Sequence, residues 1–511
     1  MLTQARPRAE AVDQAEHPAP KPRFSAEVWL LVGLTVVGAA LRFATLTSQS
    51  YWLDESTTVH EVGMSFGALL HAVRVNETTP PLYFVLAWLW SKLFGTGEAG
   101  LRSLSAIAGV AVIPIAYLCG RELVSRRAGL VAAALTAVSP LMIWYSQEAR
   151  SYMLLVAFCG ASFLFFARGW KAPSSRNVYA WALFSGLAVL THFFAGFLVA
   201  PEAVLLLYRA RNRAGVIAVG AVAIVQAAVL PLAVSDTTHP LNWINAFPLA
   251  VRIQQVPTEF GLGSLYQSSL VSYGLLAAAA LSACLIALLL IGATRSQLIG
   301  AGVAAGLVVF VVLVPLVLAV LGRDYYVARN LMPAWIPLTV VIGAACTAPR
   351  ARRSGAALAV AVLAVFVWAG IRIDDNPQYQ RPNWRGVAAA LGSPVGTRAV
   401  IAYDGTFATG PLAIYLHGIS WSGPTQAPPV STAPVTVSEV DVVGNVWDTT
   451  PATLPAGVRL VGRRRVDNYL VERFALSPAW NLTPAEIALH AGALLGPQPA
   501  GLPGVLIQPP A

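Results

Sequence analysis

Long apolar stretches separated by short polar segments dominate the chain between residues 26 and 373. A helix needs about 20 apolar residues to cross the roughly 30 Å of hydrocarbon in a bilayer. The pattern therefore predicts a polytopic α-helical membrane protein with about eleven transmembrane helices. We expect these helices near 26–46, 103–123, 127–146, 151–168, 178–192, 193–208, 215–234, 269–292, 298–321, 331–348 and 356–373.

A shorter apolar element, from Pro80 to Phe94, decides the predicted topology. Its apolar part of about 14 residues reaches about 20 Å as a helix, which is less than a full crossing. If it does not cross, the basic clusters of the later loops fall on the same side as the basic N-terminus, in keeping with the positive-inside rule. We therefore predict an interfacial or partly re-entrant element, a cytoplasmic N-terminus and an extracytoplasmic C-terminus.

The composition supports an integral plasma (cell) membrane protein, because 56% of the residues are hydrophobic, 11% are charged and the mean hydropathy is +0.64. The net charge of +10 lies in short clusters between apolar runs, where it orients the helices, so no nucleic acid partner is expected. All four cysteines lie in apolar segments without a CxxC pair. They are interpreted as packing residues rather than as disulfides or a zinc site.

The composition changes after residue 373, where charges and prolines increase and no further apolar run is long enough to span. A helix at 383–391, a strand at 398–403 and further strands within 459–476 predict a small α/β or α+β domain. The domains predicted are a disordered cytoplasmic tail (1–25), a transmembrane catalytic domain (26–373), an extracytoplasmic soluble domain (374–480) and a loose Pro-rich tail (481–511).

In the predicted topology the notable polar residues converge on the extracytoplasmic side. Four segments contribute them, at 47–79, 146–150, 235–268 and 323–329, while the cytoplasmic loops are short and basic. Any chemistry is therefore expected outside. The first of these loops carries Asp54 and Glu55 beside Tyr51 and Trp52, a pattern that is also typical of an interfacial aromatic belt with solvated acids.

Adjacent side chains diverge by about 100° on a helix, so only one of the two carboxylates can face a given reacting atom. We interpret Asp54 as a general base toward a hydroxyl and Glu55 as a residue that orients the acceptor or the loop. Arg42, Arg150 and Arg329 together form a candidate phosphate clamp, although each alone is also typical of a snorkelling anchor.

Several further polar residues are candidate contacts for the substrate or its phosphate: Gln147, Glu148, Tyr325, Tyr326 and His192. Two of them have a plainer reading, because Glu148 could pair with Arg150 in a structural hinge and His192 could be a packing residue. Asn76 and Glu77 could contribute to a divalent cation site, but no dense run of oxygen ligands supports one, and the metal stays undetermined.

Five motifs in order carry a family resemblance: Trp52-Leu53-Asp54-Glu55, Thr79-Pro80-Pro81-Leu82-Tyr83, the segment 101–109, the segment 146–152, and Arg329-Asn330-Leu331-Met332-Pro333. This series resembles the family-39 branch of the GT-C membrane glycosyltransferases, whose members include the protein O-mannosyltransferases. The resemblance covers most of residues 26–373 and adds Tyr83 to the candidate substrate contacts. Thr79 and Asn330 depart from the family pattern, since relatives often carry His and Tyr at these positions.

The resemblance implies an inverting transfer of a sugar from a polyprenyl-phosphate donor to a glycan, lipid or protein acceptor on the far side of the membrane, with the catalytic acid at Asp54. The residues support a lipid-borne donor separately, because the cytoplasmic side carries no domain large enough for a nucleotide sugar. Two alternatives stay open. One is a transporter or flippase for a lipid-linked or charged substrate, and the other is an inactive scaffold that binds polyprenyl lipids.

Overall fold

The computed structural model describes residues 26–77, 79–209, 211–235, 244, 247–402, 406–419, 433–446, 454–492, 494 and 504–510. The predicted cytoplasmic tail at 1–25 lies outside the described residues. The rest divides into a helical part up to residue 375 and a smaller part built on a sheet.

The helical part follows the predicted pattern closely. Polar caps begin several helices: Ser139 accepts from the Met142 N–H before the Pro140 start of α7, and Thr294 and Gln297 form a capping box at α14. The helices are α1 (Ala26–Phe43), α2 (Leu53–Gly63), α3 (Phe66–Asn76), α4 (Leu82–Phe94), α5 (Glu98–Leu123), α6 (Arg126–Val138), α7 (Pro140–Ser146), α8 (Tyr152–Lys171), α9 (Ser175–Thr191), α10 (Gly196–Arg209), α11 (Arg213–Ser235), α12 (Leu249–Leu262), α13 (Gly274–Gly292), α14 (Arg295–Val320), α15 (Trp335–Cys346) and α16 (Arg352–Asp375).

Within the described residues, eight helices are long and apolar enough to cross a membrane, or nine if the bent pair α6 and α7, which meet at 57°, forms one span. The predicted polytopic helical fold is confirmed, and each predicted span corresponds to a helix or a bent pair. Two of the predicted spans are short, because α9 has 17 residues and α10 has 14. The count of about eleven crossings therefore stays a prediction.

The short apolar element appears as α4, a helix of 13 residues that ends at Gly95. Gly95 adopts a φ of 77°, a left-handed conformation that favours glycine and stops the helix. At about 1.5 Å per residue, α4 reaches about 20 Å, which agrees with an element too short for a full crossing. Its position relative to the bilayer stays a prediction.

The span Ala328–Cys346, which contains α15, is 83% buried inside the protein and α8 is 72% buried, so the core of the helical part includes α8. Helices α5, α9, α10 and α15 pack around it, with large side chains such as Trp181 and Trp335 almost fully buried. Small residues bring α5 and α6 into close contact, since a Cβ on Gly129 would lie 2.4 Å from the carbonyl oxygen of Tyr117.

The smaller part confirms the predicted C-terminal sheet domain. Within the described residues the sheet has five strands in the order β3-β4-β2-β1-β5, and β1 pairs in parallel with β2 while the other neighbours are antiparallel. The strands are β1 (Arg398–Ala402), β2 (Val435–Asn445), β3 (Val458–Val466), β4 (Tyr469–Leu482) and β5 (Gly504–Gln508), and the helices are α17 (Trp384–Leu391), α18 (Thr406–Tyr415) and α19 (Pro484–Gly492).

The prediction of a loose tail over 481–511 is wrong for the parts of that range that the structure describes. Strand β4 continues to Leu482, α19 follows, and β5 lies beside β1, with Leu506 opposite Val400. Because β5 has only five residues and is surrounded by Pro and Gly, its sequence carries too little alternation to indicate a strand. It is stabilised by a partner strand about 100 residues away in sequence.

Candidate active site

The loop with the two adjacent acids forms the start of α2. Trp52 has an extended backbone at the N-cap, and the helix begins at Leu53, so Asp54 and Glu55 both lie in its first turn. Negative side chains at this position are favoured by the unpaired N–H groups of a helix N-terminus. The helical geometry sends the two carboxylates in different directions, as expected, and their surroundings differ accordingly.

Asp54 faces Arg329. The Nη1 of Arg329 donates to Oδ2 of Asp54 at 3.0 Å, and the side chains are 20% and 22% exposed, respectively. Arg329 lies in the 3-10 turn Ala328–Ala334, and its guanidinium is 5.7 Å from the centre of the Tyr152 ring. Two candidates 275 residues apart are thus in direct contact, and both keep part of their side chains open.

Glu55, the acidic neighbour of the candidate base, is buried and fully paired, which agrees with a role in orienting the loop and leaves no free carboxylate oxygen for a catalytic one. Arg102 donates to it twice, from Nε and Nη2 at 2.7 Å each, and the N–H of Ala149 donates to Oε1 at 2.9 Å. Arg102 also binds the carbonyl oxygens of Leu46, Gln49 and Ser50. Glu55 and Arg102 therefore hold the loop before α2, and removing either one would leave a buried charge, at a cost of about 3–5 kcal/mol.

Arg42 is also a structural residue, contrary to the predicted phosphate clamp. It is fully buried at the end of α1 and donates to the hydroxyl of Ser146 and to the carbonyl oxygens of Gly38, Thr136 and Ala137. These acceptors belong to α1, α6 and α7, so the guanidinium joins three helices. The charged side chain is evident in the sequence, but apart from Gly38 its partners are 94 to 104 residues away.

Gln147 has a similar structural role. Its Nε2 donates to the carbonyl oxygens of Leu41 and Arg42 and, at 2.7 Å, to the hydroxyl of Thr45. It thereby ties the segment between α7 and α8 to the end of α1. Neither Gln147 nor Arg42 is available to a phosphate in this arrangement.

Arg150 lies beside the candidate base, but another carboxylate is its principal partner. It donates to Glu77 at 3.2 and 3.0 Å and to the carbonyl oxygen of Asp54 at 3.3 Å. The alternative in which the side chain of Arg150 pairs with Glu148 is therefore not the observed arrangement. Arg150 connects the first turn of α2 to the residue that follows α3.

The same contact bears on the suggested divalent cation. Glu77 is a counter-ion of Arg150, and the side chain of Asn76 lies outside the described residues. Among the residues that the structure describes, no group of three or more His, Cys, Asp or Glu side chains is arranged to hold a metal ion. Metal dependence stays undetermined.

A third acid on α2, Glu61, was not among the predicted site residues. It lies on the same helical face as Asp54 and Thr58, at the spacings i+7 and i+3, and is 2% exposed. Within the described part of the chain, neither of its carboxyl oxygens has a hydrogen-bond partner. Burial and the charge of Glu77 raise the pKa of Glu61 to about 9, and Arg150 offsets only part of this effect. The carboxyl is therefore protonated at neutral pH.

Glu148 is bound by an arginine from outside the helical part. Arg381, in the segment between α16 and α17, donates from Nη2 to Oε2 of Glu148 at 3.1 Å. Burial raises the pKa of Glu148 to about 7, because Arg381 offsets only part of the cost of desolvation and the charges of Glu55 and Asp54 add to it. Glu148 is thus close to the Asp54–Arg329 pair.

Aromatic residues form one side of this region. The ring of His192 lies 5.8 Å from that of Tyr152 and 4.7 Å from that of Phe194, and Phe194 is 5.7 Å from Tyr325. His192 accepts a hydrogen bond at Nδ1 from the N–H of Phe194. His192 and Tyr325 are thereby placed near the candidate base through Tyr152, which also contacts Arg329.

Two predicted tyrosines are less suited to substrate contact. Tyr326 is 4% exposed in a cluster with Val256 and Leu331, and its carbonyl oxygen accepts from Arg252. Tyr83 is 1% exposed and packs edge-on against Phe84. The side chains of both belong to the protein interior, so their assignment as substrate contacts is corrected.

The residues missed by the prediction share a recognisable signal. Arg102 and Arg381 are charged residues beside apolar runs, one within the first turns of α5 and the other shortly after α16. An ionisable residue at the end of an apolar span is costly to bury, so it needs a partner or a function. The sequence does not reveal the partner, because Glu55 and Glu148 are 47 and 233 residues away.

Comparisons with known proteins bear on the family resemblance and on the fold. Residues 78–234 match the family described as dolichyl-phosphate-mannose-protein mannosyltransferase, which confirms the resemblance predicted from the motifs. No curated protein matches the chain significantly.

Among solved structures, the fold is similar to that of ArnT from Cupriavidus metallidurans bound to undecaprenyl phosphate, over 88% of this chain and 98% of that chain, with 15% identity and a TM-score of 0.50. Archaeal oligosaccharyltransferase AglB from Archaeoglobus fulgidus matches over 80% of this chain and 62% of that chain, with 12% identity and a TM-score of 0.43. The S. cerevisiae protein O-mannosyltransferase Pmt1-Pmt2 complex matches over 42% of this chain and 33% of that chain, with 17% identity and a TM-score of 0.31. The similarity to ArnT bound to undecaprenyl phosphate confirms the predicted fold class.

Proposed function

We propose that this chain, a GT-C-type membrane protein related to the dolichyl-phosphate-mannose-protein mannosyltransferases, is an inverting glycosyltransferase that moves a sugar from a polyprenyl-phosphate donor to an acceptor hydroxyl. The observation that carries the proposal is the contact of Asp54 with Arg329. It places a partly exposed carboxylate beside a guanidinium at the point where the polar segments of the helical part meet.

The two side chains suit the two halves of the reaction. The carboxylate of Asp54 accepts the proton of the acceptor hydroxyl, whose oxygen forms the new bond to the anomeric carbon. The bond between that carbon and the phosphate oxygen breaks, and the polyprenyl phosphate leaves with the electron pair. Arg329 stabilises the charge on the departing phosphate, since phosphate is a good leaving group that needs charge stabilisation more than a proton.

The surrounding contacts support Asp54 as the reacting acid. Glu55 is held on both oxygens by Arg102, and Glu77 by Arg150, so both are engaged inside the protein. Asp54 differs because it keeps 22% of its side chain exposed. A base has to reach its substrate as well as bind a proton, and Asp54 meets that requirement.

We further propose that the reaction takes place on the extracytoplasmic side of the plasma membrane, with a cytoplasmic N-terminus and the sheet domain outside. The basic clusters that support this orientation follow α5, α8, α10 and α13 and precede α16. The lipid phase then delivers the donor, and the acceptor is a glycan, lipid or protein.

The test is a transfer assay in membranes that contain the protein, using labelled polyprenyl-phosphate sugars. We expect wild type to move label to an acceptor and Asp54→Asn to lose at least about 100-fold in rate, in line with removal of a general base. The matched control is Asp375→Asn, which changes an exposed acid at the end of α16 and leaves the Asp54–Arg329 pair intact.

Two results would contradict the proposal. One is wild-type transfer by a correctly inserted Asp54→Asn. The other is the absence of transfer from every lipid donor tested, together with movement of the labelled lipid across the membrane, which would favour a transporter or flippase.

A further inference from the structure

An arginine from outside the helical part reaches the region around Asp54. Arg381 follows the 3-10 turn Pro377–Tyr379 and is 5% exposed. Its backbone N–H donates to Oε1 of Gln49 at 2.9 Å, in the loop that leads to Asp54. The position of this arginine is therefore fixed by the same loop that carries the candidate base.

The guanidinium of Arg381 is held on one side only. Nη2 donates to the carbonyl oxygen of Trp144 and to Oε2 of Glu148, at 3.1 Å each, and the guanidinium carbon lies 4.1 Å from the centre of the Trp144 ring. Nε and Nη1 are buried and have no hydrogen-bond partner among the residues that the structure describes, and the same holds for Oε1 of Glu148.

Buried charged groups normally have their hydrogen bonds satisfied, since a buried donor without a partner loses its hydration and gains nothing in return. A rigid, desolvated guanidinium with two unused donors is suited to bind an anion. Other arginines near Asp54 are engaged inside the protein, Arg42 by carbonyl oxygens and Arg150 by Glu77. Arg381 therefore has free donors that Arg42 and Arg150, two members of the predicted phosphate clamp, do not have.

We propose that Arg381 binds the phosphate group of the polyprenyl-phosphate donor through Nε and Nη1, so that the segment joining the two parts of the chain completes the donor site. This inference rests on the proposed function, which requires a lipid-linked phosphate beside Asp54. The proposal gives the segment between α16 and α17 a direct role in substrate binding.

Glu148 supplies a second, independent test. Its carboxylate holds Arg381 in place but also repels an anion beside it. The charged groups that act on Glu148 are Arg381, Arg329, Asp54, Glu55 and, from α12, Glu259. In Glu148→Gln the amide oxygen can still accept a hydrogen bond from Arg381, but the negative charge that repels the phosphate is removed. The affinity for phosphate then rises.

The experiment measures binding of undecaprenyl phosphate, with undecaprenol as the reference lipid, to the purified full-length protein in nanodiscs. We expect Arg381→Gln to weaken phosphate-dependent binding by at least about 10-fold, Arg381→Lys to weaken it less, and Glu148→Gln to strengthen it several-fold. The control is Arg385→Gln in the adjacent α17, where the side chain is 46% exposed and binds Glu98. It should bind as wild type does.

The inference is overturned if folded Arg381→Gln binds undecaprenyl phosphate as wild type does, or if wild type does not distinguish the phosphate from undecaprenol. Should Arg381→Gln fail to fold, the Lys and Glu148→Gln variants decide, and unchanged or weaker binding by Glu148→Gln would contradict it. Binding is measured without transfer. Phosphate-dependent binding in a protein that transfers no sugar would thus overturn the proposed function and leave Arg381 as an anion-binding residue.

Discussion

At the scale of single residues, burial separates acids that look alike in the sequence. Asp54 and Glu55 are neighbours, yet one faces Arg329 at a partly open position and the other is enclosed by Arg102 and the Ala149 N–H. The carboxyl oxygens of Glu61, one to two turns further along α2, have no hydrogen-bond partner in the ranges that the structure describes. Three carboxyl groups on one short helix thus have three different environments.

Glu61 gives a prediction about pH. Because its pKa is raised to about 9 in the folded protein from an ordinary value of 4.5, the protonated form stabilises the fold below pH 4.5, and this stabilisation is lost progressively as the pH rises through 9. The melting temperature of wild type should therefore fall more steeply between pH 6 and pH 9.5 than that of Glu61→Gln. Thermal unfolding in detergent measures this, with Asp375→Asn as the control. Parallel pH profiles for wild type and Glu61→Gln would contradict it.

At the scale of helices, small residues determine how closely the spans approach. A Cβ on Gly120 would lie 2.7 Å from the Cα of Gly129, and one on Gly129 would lie 2.4 Å from the carbonyl oxygen of Tyr117. These neighbours are backbone atoms of α5 and α6, so they can move only if the helices separate. The pair α5–α6 supports Arg42 and the start of α7, and thereby the segment that carries Glu148 and Arg150.

Gly129→Ala should therefore lower the stability of the whole helical part. The expected loss is about 1–3 kcal/mol, as for overpacking of a close-packed interior, together with reduced transfer activity. The matched control is Gly186→Ala in α9, where a Cβ would meet nothing within 4 Å and the better helix propensity of alanine should leave the melting temperature equal or slightly higher. Equal melting temperatures for the two variants would show that α5 and α6 can separate at little cost.

At the scale of the whole molecule, the sheet domain is attached to the loop that carries Asp54. Tyr415 of α18 accepts from the N–H of Tyr51 at 2.7 Å and donates to Glu98, and Ser50 donates to the carbonyl oxygen of Pro382 at 2.8 Å. A Cβ on Gly410 would lie 2.9 Å from the hydroxyl oxygen of Ser56 in α2. The C-terminal part thus stabilises the loop in addition to contributing Arg381.

The proposed orientation can be tested by labelling. In a cysteine-free background, Val395→Cys places a thiol at a position of the sheet domain that is 89% exposed, and Arg211→Cys places one in the exposed basic loop between α10 and α11. A membrane-impermeant maleimide should label the first in sealed right-side-out vesicles and the second only after permeabilisation. The reverse pattern would place the sheet domain in the cytoplasm.

The sequence by itself determined the class of the protein and the positions of its helices, because apolar length and the placement of charges are local properties that a bilayer requires of any chain. The motifs also indicated Asp54 and Arg329, which the structure places in contact. The hydrogen-bond partners of the other charged residues could not be read from the sequence in the same way.

Only the tertiary structure decided which charged residues are enclosed and which stay open. Arg42, Glu55 and Gln147 looked like site residues, but each is bound by groups 94 to 106 residues away. Nearer partners add to two of them, Gly38 to Arg42 and Arg102 to Glu55. The unused donors of Arg381 and the unpaired carboxyl oxygens of Glu61 could not be read from the sequence, since an unused donor or acceptor becomes visible only when its neighbours are placed. The energy of a charge depends on burial and on partners distant in sequence, and packing alone sets both.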